Sequence, residues 1–294
     1  MARSDNLTVT LRAPSPLRPD ELGDAEALVA EVGWNQTERD WRMFLELGRV
    51  QAIRTDAGRV IATAATLPYG GFGWISMVLV TAAWRRRGLA SRLLQGAIDD
   101  LRGAGLVPVL DATPAGREVY RGLGFADTWG FARYARSASS AARDVAPSGD
   151  DFDVRVITDA VWPEICAYDT TAFGSERNGL LARLRRRVPA ADLVALRGDR
   201  LAGFLLGREG RIATQLGPLV AEDFATAHAL LTRAIAAIDG PIFIDLVDSK
   251  TPIRAFLEAH GFSFTRPLTR MVHGRTSAFD DGARTFAVVG PEFG

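Results

Sequence analysis

The sequence predicts two α/β domains of one type joined in tandem, and three observations carry that expectation. The chain has 294 residues, long for one compact domain and enough for two cores of ordinary size. Residues 137–151, SASSAARDVAPSGDD, break every apolar period with small and polar residues and a Pro-Ser-Gly turn signal. The order of strand and helix patterns before that break recurs after it at a period of about 140 residues, too long for a solenoid repeat and suited to a duplicated domain. The expected organisation is a first domain over residues 1–138, a linker over 139–151 and a second domain over 152–294.

In the first half, residues 19–32 have helical spacing, and Thr37 with Asp40 makes a capping-box pattern opening a second helix through Trp41, Phe44 and Leu45. Residues 51–54 and 60–66 flank Asp56-Ala57-Gly58 as a hairpin, and residues 74–80 form an apolar third strand after Gly70-Gly71. Over residues 86–101, Ala90, Leu93, Leu94, Ala97, Ile98 and Leu101 share one face at a helical period. Residues 107–112 read as a buried strand, 115–123 as a helix stopped by Gly124, and 131–134 as the strand that closes this half. After the break the order repeats: a strand at 152–157, helices near 162–172 and 180–187, and a hairpin about Gly198-Asp199. Next come a strand at 211–216, a long helix at 225–238, a buried strand at 242–247 and a short helix at 253–259 before Gly261-Phe262.

Lys and Arg total 35, as do Asp and Glu, so no bulk field draws the chain to nucleic acid or an anionic membrane. Only Lys250 is a lysine, so runs of arginine are partly a habit of composition. The single cysteine, Cys166, excludes an internal disulfide, and with three histidines (His228, His260, His273) no metal is expected. Residues 1–14 lack the apolar core of a signal peptide and no stretch approaches the ~20 apolar residues of a membrane span, so a cytoplasmic protein is expected.

The informative stretch is residues 78–90, VLVTAAWRRRGLA, a strand passing through a sharp turn into the strong helix. A helix start carries unpaired N–H groups and partial positive charge, so it can hold a pyrophosphate on backbone alone. Gly88 permits close approach and Ala90 keeps the next position small. By itself a glycine-containing turn with Arg85, Arg86 and Arg87 reads more simply as a solvated helix end. Here, however, Arg85, Gly88 and Ala90 fill the Arg/Gln-x-x-Gly-x-Gly/Ala pattern, and the chain resembles the GCN5-related N-acetyltransferase family. Tyr120-Arg121-Gly122-Leu123-Gly124-Phe125 is similar to that family's closing signature, about 30 residues further on.

The resemblance implies, for each half, a mostly antiparallel twisted mixed sheet flanked by helices. It implies acetyl-coenzyme A as co-substrate, bound by Val78, Leu79, Val80, Arg85, Arg86, Arg87, Gly88, Leu89, Ala90 and Ser91. It implies Tyr120 as the acid that protonates the leaving thiolate, in direct acetyl transfer to an amine within a ternary complex. The strand near Val78 to Val80 would stabilise the oxyanion and pair with the pantetheine arm where it splays from residues 107–112. No base is assigned: Asp111 and proton loss through water both stand, as does an amine that binds already neutral.

In the second half the stretch matching the phosphate loop, residues 218–225, lacks the pattern and carries Glu222 and Asp223, and Leu257 stands where Tyr120 does. That half is expected to shape substrate or form an interface, as in bacterial tandem acetyltransferases with a degenerate second domain. Gly33-Trp34-Asn35, Asp40-Trp41, residues 169–177 and the tail 290–294 carry that part of the resemblance. Candidate acceptor contacts are Trp34, Trp41, Ser76, Asp111, Asp169, Glu176 and Asp245; core packing, helix capping and arginine pairing are the ordinary alternatives. The expected partner is a small-molecule or peptide amine, with no nucleic acid or membrane, and a monomer or homodimer. The rival reading is a non-catalytic acyl-coenzyme A sensor. A nucleic-acid module, suggested by the runs 85–87 and 185–187, fits poorly with zero net charge.

Overall fold

The computed structural model describes residues 11–138 and 152–294, so the expected linker lies outside the described residues. The first half runs β1 (Ser15–Pro16), α1 (Leu22–Glu31), α2 (Glu38–Leu47), β2 (Arg49–Arg54), β3 (Val60–Tyr69), β4 (Phe72–Val80), α3 (Leu89–Gly103), β5 (Val107–Ala112), α4 (Pro114–Arg121) and β6 (Phe125–Arg136). The second runs β7 (Asp153–Val156), α5 (Trp162–Phe173), α6 (Asn178–Leu184), β8 (Leu193–Arg197), β9 (Arg200–Arg208), β10 (Thr214–Ala221), α7 (Phe224–Ala237), β11 (Ile242–Val247), α8 (Thr251–Ala259), β12 (Ser263–His273) and β13 (Thr285–Ala287). The capping box forms as the sequence suggests, with the Thr37 amide donating to Asp40 Oδ2 at 2.9 Å. The apolar face of α3 buries Leu93, Leu94, Ala97, Ile98 and Leu101 against β3, β4 and β5. No helix among the described residues is long and apolar enough to cross a membrane.

The described strands make one sheet, ordered β1-β2-β3-β4-β5-β12-β6-β11-β13-β10-β9-β8-β7. Apart from β13, the order is palindromic about the β12–β6 seam, with each half's last long strand completing the other half's sheet. β12 pairs antiparallel with β5, β6 pairs antiparallel with β11, and the two exchanged strands pair with each other. The strand expected to close the first half at residues 131–134 therefore starts at Phe125 and lies against the second half, a correction to the reading from sequence.

Two equivalent ion pairs hold this exchange. Arg133 on β6 donates to both oxygens of Asp245, its register partner on β11, at 2.8 and 2.7 Å. Arg270 on β12 does the same to Asp111, its partner on β5, at 3.0 Å for each bond. All four side chains are buried. A bidentate arginine–carboxylate pair fixes register as well as distance.

Further ties cross between the halves. The Asn35 side chain donates to the Ala213 carbonyl and accepts from the Ile212 and Ala213 amides. Asp40 pairs with Arg187 and Arg208. The tail returns to the first half, where Tyr69 donates to the Phe293 carbonyl, Trp74 donates to the Pro291 carbonyl, and Phe293 stacks on Phe44.

Candidate active site

A bulge in β4 creates the site. The register with β3 steps from Thr63 opposite Leu79 to Ala65 opposite Ser76, so Met77 and Val78 share one position, and Met77 takes a φ of 52°. β4 is parallel to β5 only over Phe72–Trp74. Beyond Trp74 the strands diverge, leaving the β5-facing edge of β4 without a strand neighbour.

The diverging edge leads to the start of α3. Gly88 is the N-cap residue in the left-handed region at φ 77°, no side chain caps the helix, and a Cβ added there would meet nothing within 4 Å. The first-turn N–H groups of Leu89, Ala90 and Ser91 thus face a groove also lined by Val78, Leu79, Val80, Arg85, Arg86, Trp34 and Trp84. Arg85 turns back to the Val80 carbonyl at 3.0 Å and to Glu31, while Arg87 lies over the Trp84 ring at 4.6 Å.

The groove adjoins a cleft of about 580 Å³ including its open mouth, with Trp34 and Val78 lining both. Its walls include Gln36, Ser76, Asp111 and Tyr120 from the first half and Arg266, Leu268, Pro291 and Glu292 from the second. Asp111 is held by Arg270, which also bonds Asp280 and lies between the rings of Trp74 and Trp129. Burial outweighs the pull of Arg270 and pushes the Asp111 carboxyl up to about 6. The Tyr120 hydroxyl has no hydrogen-bond partner among the described residues, and burial raises its pKa, keeping the phenol protonated.

α4 presents Tyr120 because it is clipped to β6: Arg117 donates to both oxygens of Asp127 at 2.9 and 2.7 Å, and Arg121 bonds the same carboxylate. Those arginines hold the Asp127 carboxyl down to about 2, below the usual carboxylate range. An acid lowered in the fold stabilises it above the unfolded pKa and loses that contribution as pH falls through the folded one. Acid titration of stability should therefore show the clip releasing between about pH 4 and 2. Asp127→Asn should flatten that limb of the stability curve; identical curves would contradict the assignment.

The equivalent features of the second half are filled by the chain itself. Residues 218–221, expected in a loop, belong to β10, and Asp223 caps α7 by accepting from the Thr226 amide at 2.8 Å. β10 and β11 diverge as β4 and β5 do, but β13 lies between them, with Ala287 opposite both Leu219 and Leu246. Leu257, the counterpart of Tyr120, is fully buried.

Of the candidate acceptor contacts, the structure brings Trp34, Ser76 and Asp111 to the cleft. Trp41 is fully buried against Phe44. Asp169 is locked on Arg177, and Asp245 on Arg133 and Gln215. Glu176 bonds Asn178 on a different surface. In the run 185–187, Arg187 is spent on Asp40 and Glu209, and Arg185 and Arg186 on Asp159. Sequence reasoning passed over Gln36, Arg266 and Glu292; the tail motif at 290–294 was the one signal that touched this set.

An acetyltransferase (GNAT) family model matches residues 20–125, and a second acetyltransferase (GNAT) domain model matches residues 165–287. The uncharacterised N-acetyltransferase YitH of Bacillus subtilis strain 168 is 23% identical over 249 residues, 84% of this chain and 86% of that protein. A Pyrococcus horikoshii protein assigned as an acetyltransferase superposes with a TM-score of 0.78 at 18% identity, covering 100% of this chain and 99% of the other. A tandem GNAT protein from the clavulanic acid biosynthesis pathway gives 0.67 at 12% identity, over 91% of this chain and 100% of that one. With one matched segment in each half and the same tandem fold in these neighbours, the chain belongs to the GCN5-related N-acetyltransferase family and is an acetyltransferase with two such domains in tandem.

Proposed function

We propose that the first half transfers an acetyl group from acetyl-coenzyme A directly to an amine, both bound at once, while the second half builds part of the acceptor wall. The contrast between the halves supports this: the helix start and strand splay are open in the first and occupied by Asp223 and β13 in the second. The gap that β13 fills has the width of an added strand, which suits a pantetheine arm in the first half.

In this reading the amides of Leu89, Ala90 and Ser91 hold the pyrophosphate, and Gly88 gives it room. The edge of β4 over residues 78–80 pairs with the pantetheine amides. Backbone N–H groups at the Met77–Val78 bulge stabilise the oxyanion that forms when the amine nitrogen attacks the thioester carbon. As the C–S bond breaks, Tyr120 gives its proton to the sulfur, and the proton left on nitrogen passes to solvent, from which the phenolate is reprotonated. Asp111, with both oxygens on Arg270, contributes its negative field more than a free lone pair.

The test is thiol release from acetyl-coenzyme A across a panel of amines. Tyr120→Phe is expected to lower kcat by about a hundredfold or more with cofactor affinity unchanged. Unchanged turnover, or cofactor binding with no thiol released by any amine, would favour the acyl-coenzyme A sensor.

A further inference from the structure

We infer that the acceptor is a small amine that also carries an anionic group, and that Arg266 binds that group. The inference rests on the acetyltransferase reading and names its substrate class.

The charges around the cleft carry it. Asp111 and Asp280 share Arg270. Glu292 is paired with Arg208, which also holds Asp40, and Asp245 is paired with Arg133. Arg266 is different: among the described residues it has neither an ion pair nor a hydrogen bond, and its Nε is buried without a partner. Asp245 and Glu292 are near enough to influence it, yet each is engaged elsewhere. Its register partner across the β12–β6 seam is Arg133, a like charge, and β12 is bulged beside it. Burial, then Arg133, pushes the Arg266 pKa down, but a guanidinium does not lose its proton at neutral pH.

An unpaired, partly buried guanidinium is costly unless something supplies the anion, and here it lines the cleft. The opposite sign prevails four residues along β12, where two carboxylates share the single Arg270. Strand positions four apart are about 13 Å from one another, and the two long side chains can shorten that span. The cleft is thus dipolar. Its negative end favours an ammonium on the way to the Met77–Val78 bulge, and its positive end an anion. A polycationic acceptor would set like charge against Arg266. The cleft volume suits a small molecule.

The experiment uses the full chain and matched probes: glycine, β-alanine, 4-aminobutyrate and 5-aminopentanoate, their methyl esters, the corresponding alkylamines, and aminoethyl phosphate. Thiol release should show the wild type preferring members with an anionic group over neutral ones of equal length by about 10–100-fold in kcat/KM, the range of a charge-assisted contact. The carboxylate and phosphate arms report which anion fits better. Arg266→Gln should raise KM for the anionic probes by a similar factor, leave kcat and the KM for acetyl-coenzyme A unchanged, and spare the neutral amines; Arg266→Lys should restore part of the loss. Calorimetry of the N-acetylated probes with the protein and coenzyme A gives a readout without turnover, and the same loss in Arg266→Gln is expected there. Equal use of neutral and anionic amines, or an equal loss on both in Arg266→Gln, overturns the inference while leaving the acetyltransferase reading intact. Anion binding that depends on Arg266 without thiol release from any amine would uphold this site and defeat that reading.

Discussion

Gly88→Asp is expected to abolish acetyl-coenzyme A binding and leave a folded protein. The two halves of that expectation have separate causes. On the folding side, a Cβ at Gly88 meets no atom within 4 Å, so the strain is confined to a non-glycine residue at φ 77°, about 1 kcal/mol, and aspartate is among the side chains that bear this region best. On the binding side, a carboxylate at the N-cap position accepts from the first-turn amides of α3 and repels a diphosphate from the same place. The second half already contains that arrangement, with Asp223 accepting from the Thr226 amide and its hydroxyl. Gly88→Ala adds bulk without charge and should bind with intermediate affinity. Calorimetry against coenzyme A, beside a melting curve for each variant, checks both halves; wild-type affinity in Gly88→Asp would refute the placement of the pyrophosphate.

How much of this was legible in the sequence depended on whether the signal was local. The helical period over residues 86–101 reflects burial on one helix face, and α3 appears at Leu89–Gly103. Residues 107–112 form β5 and 242–247 form β11 because mostly apolar runs suit strands covered on both faces, the one acid in each, Asp111 and Asp245, being paired with an arginine of the neighbouring strand. The turn at 85–88 and Tyr120 stood out through two short motifs that resemble the family's, since local chemistry alone reads the turn as a solvated helix end. Strand pairing has no such local mark. Nothing in FADTWGFARYAR says that its partner is β11 rather than β5, and β13, three residues long, carries no pattern at all. Arg266 carries no local mark and Glu292 enters only through the tail motif at 290–294; the exchange of β12 and the return of the tail bring them to a cleft whose other walls lie in the first half. Trp41, Asp169 and Asp245 failed in the opposite direction: residue types suited to a ligand wall are buried here in packing and ion pairs, and of the two acids Asp245 is the one paired with an arginine of the other half.

Residues 1–138 expressed alone should yield no folded monomer, because the exchange leaves too much of this half's structure in the other. Without the second half, β5 and β6 lose their partners over Val109–Ala112 and Phe131–Arg136, and buried Phe131 and Ala132 come to solvent. Arg133 loses Asp245 and Asp111 loses Arg270; each orphaned buried charge costs about 3–5 kcal/mol, and two exceed the margin of many small domains. β6 folding back onto β5 within one chain would have to reverse a connection that carries it across the seam. The palindromic order does allow one escape. Two copies of the first half could exchange β6 strands, setting Arg133 of each against Asp111 of the other as Arg270 now stands, so the folded form expected, if any, is a dimer. Co-expression of residues 1–138 with 152–294 should restore the complete sheet and with it the cleft, giving a one-to-one complex with thiol-release activity. Gel filtration and circular dichroism of the half-chain alone, then of the co-expressed pair, decide the matter. A monomeric first half with a cooperative unfolding transition would mean that β6 can close its own sheet, and that the exchange is not what holds the two halves together.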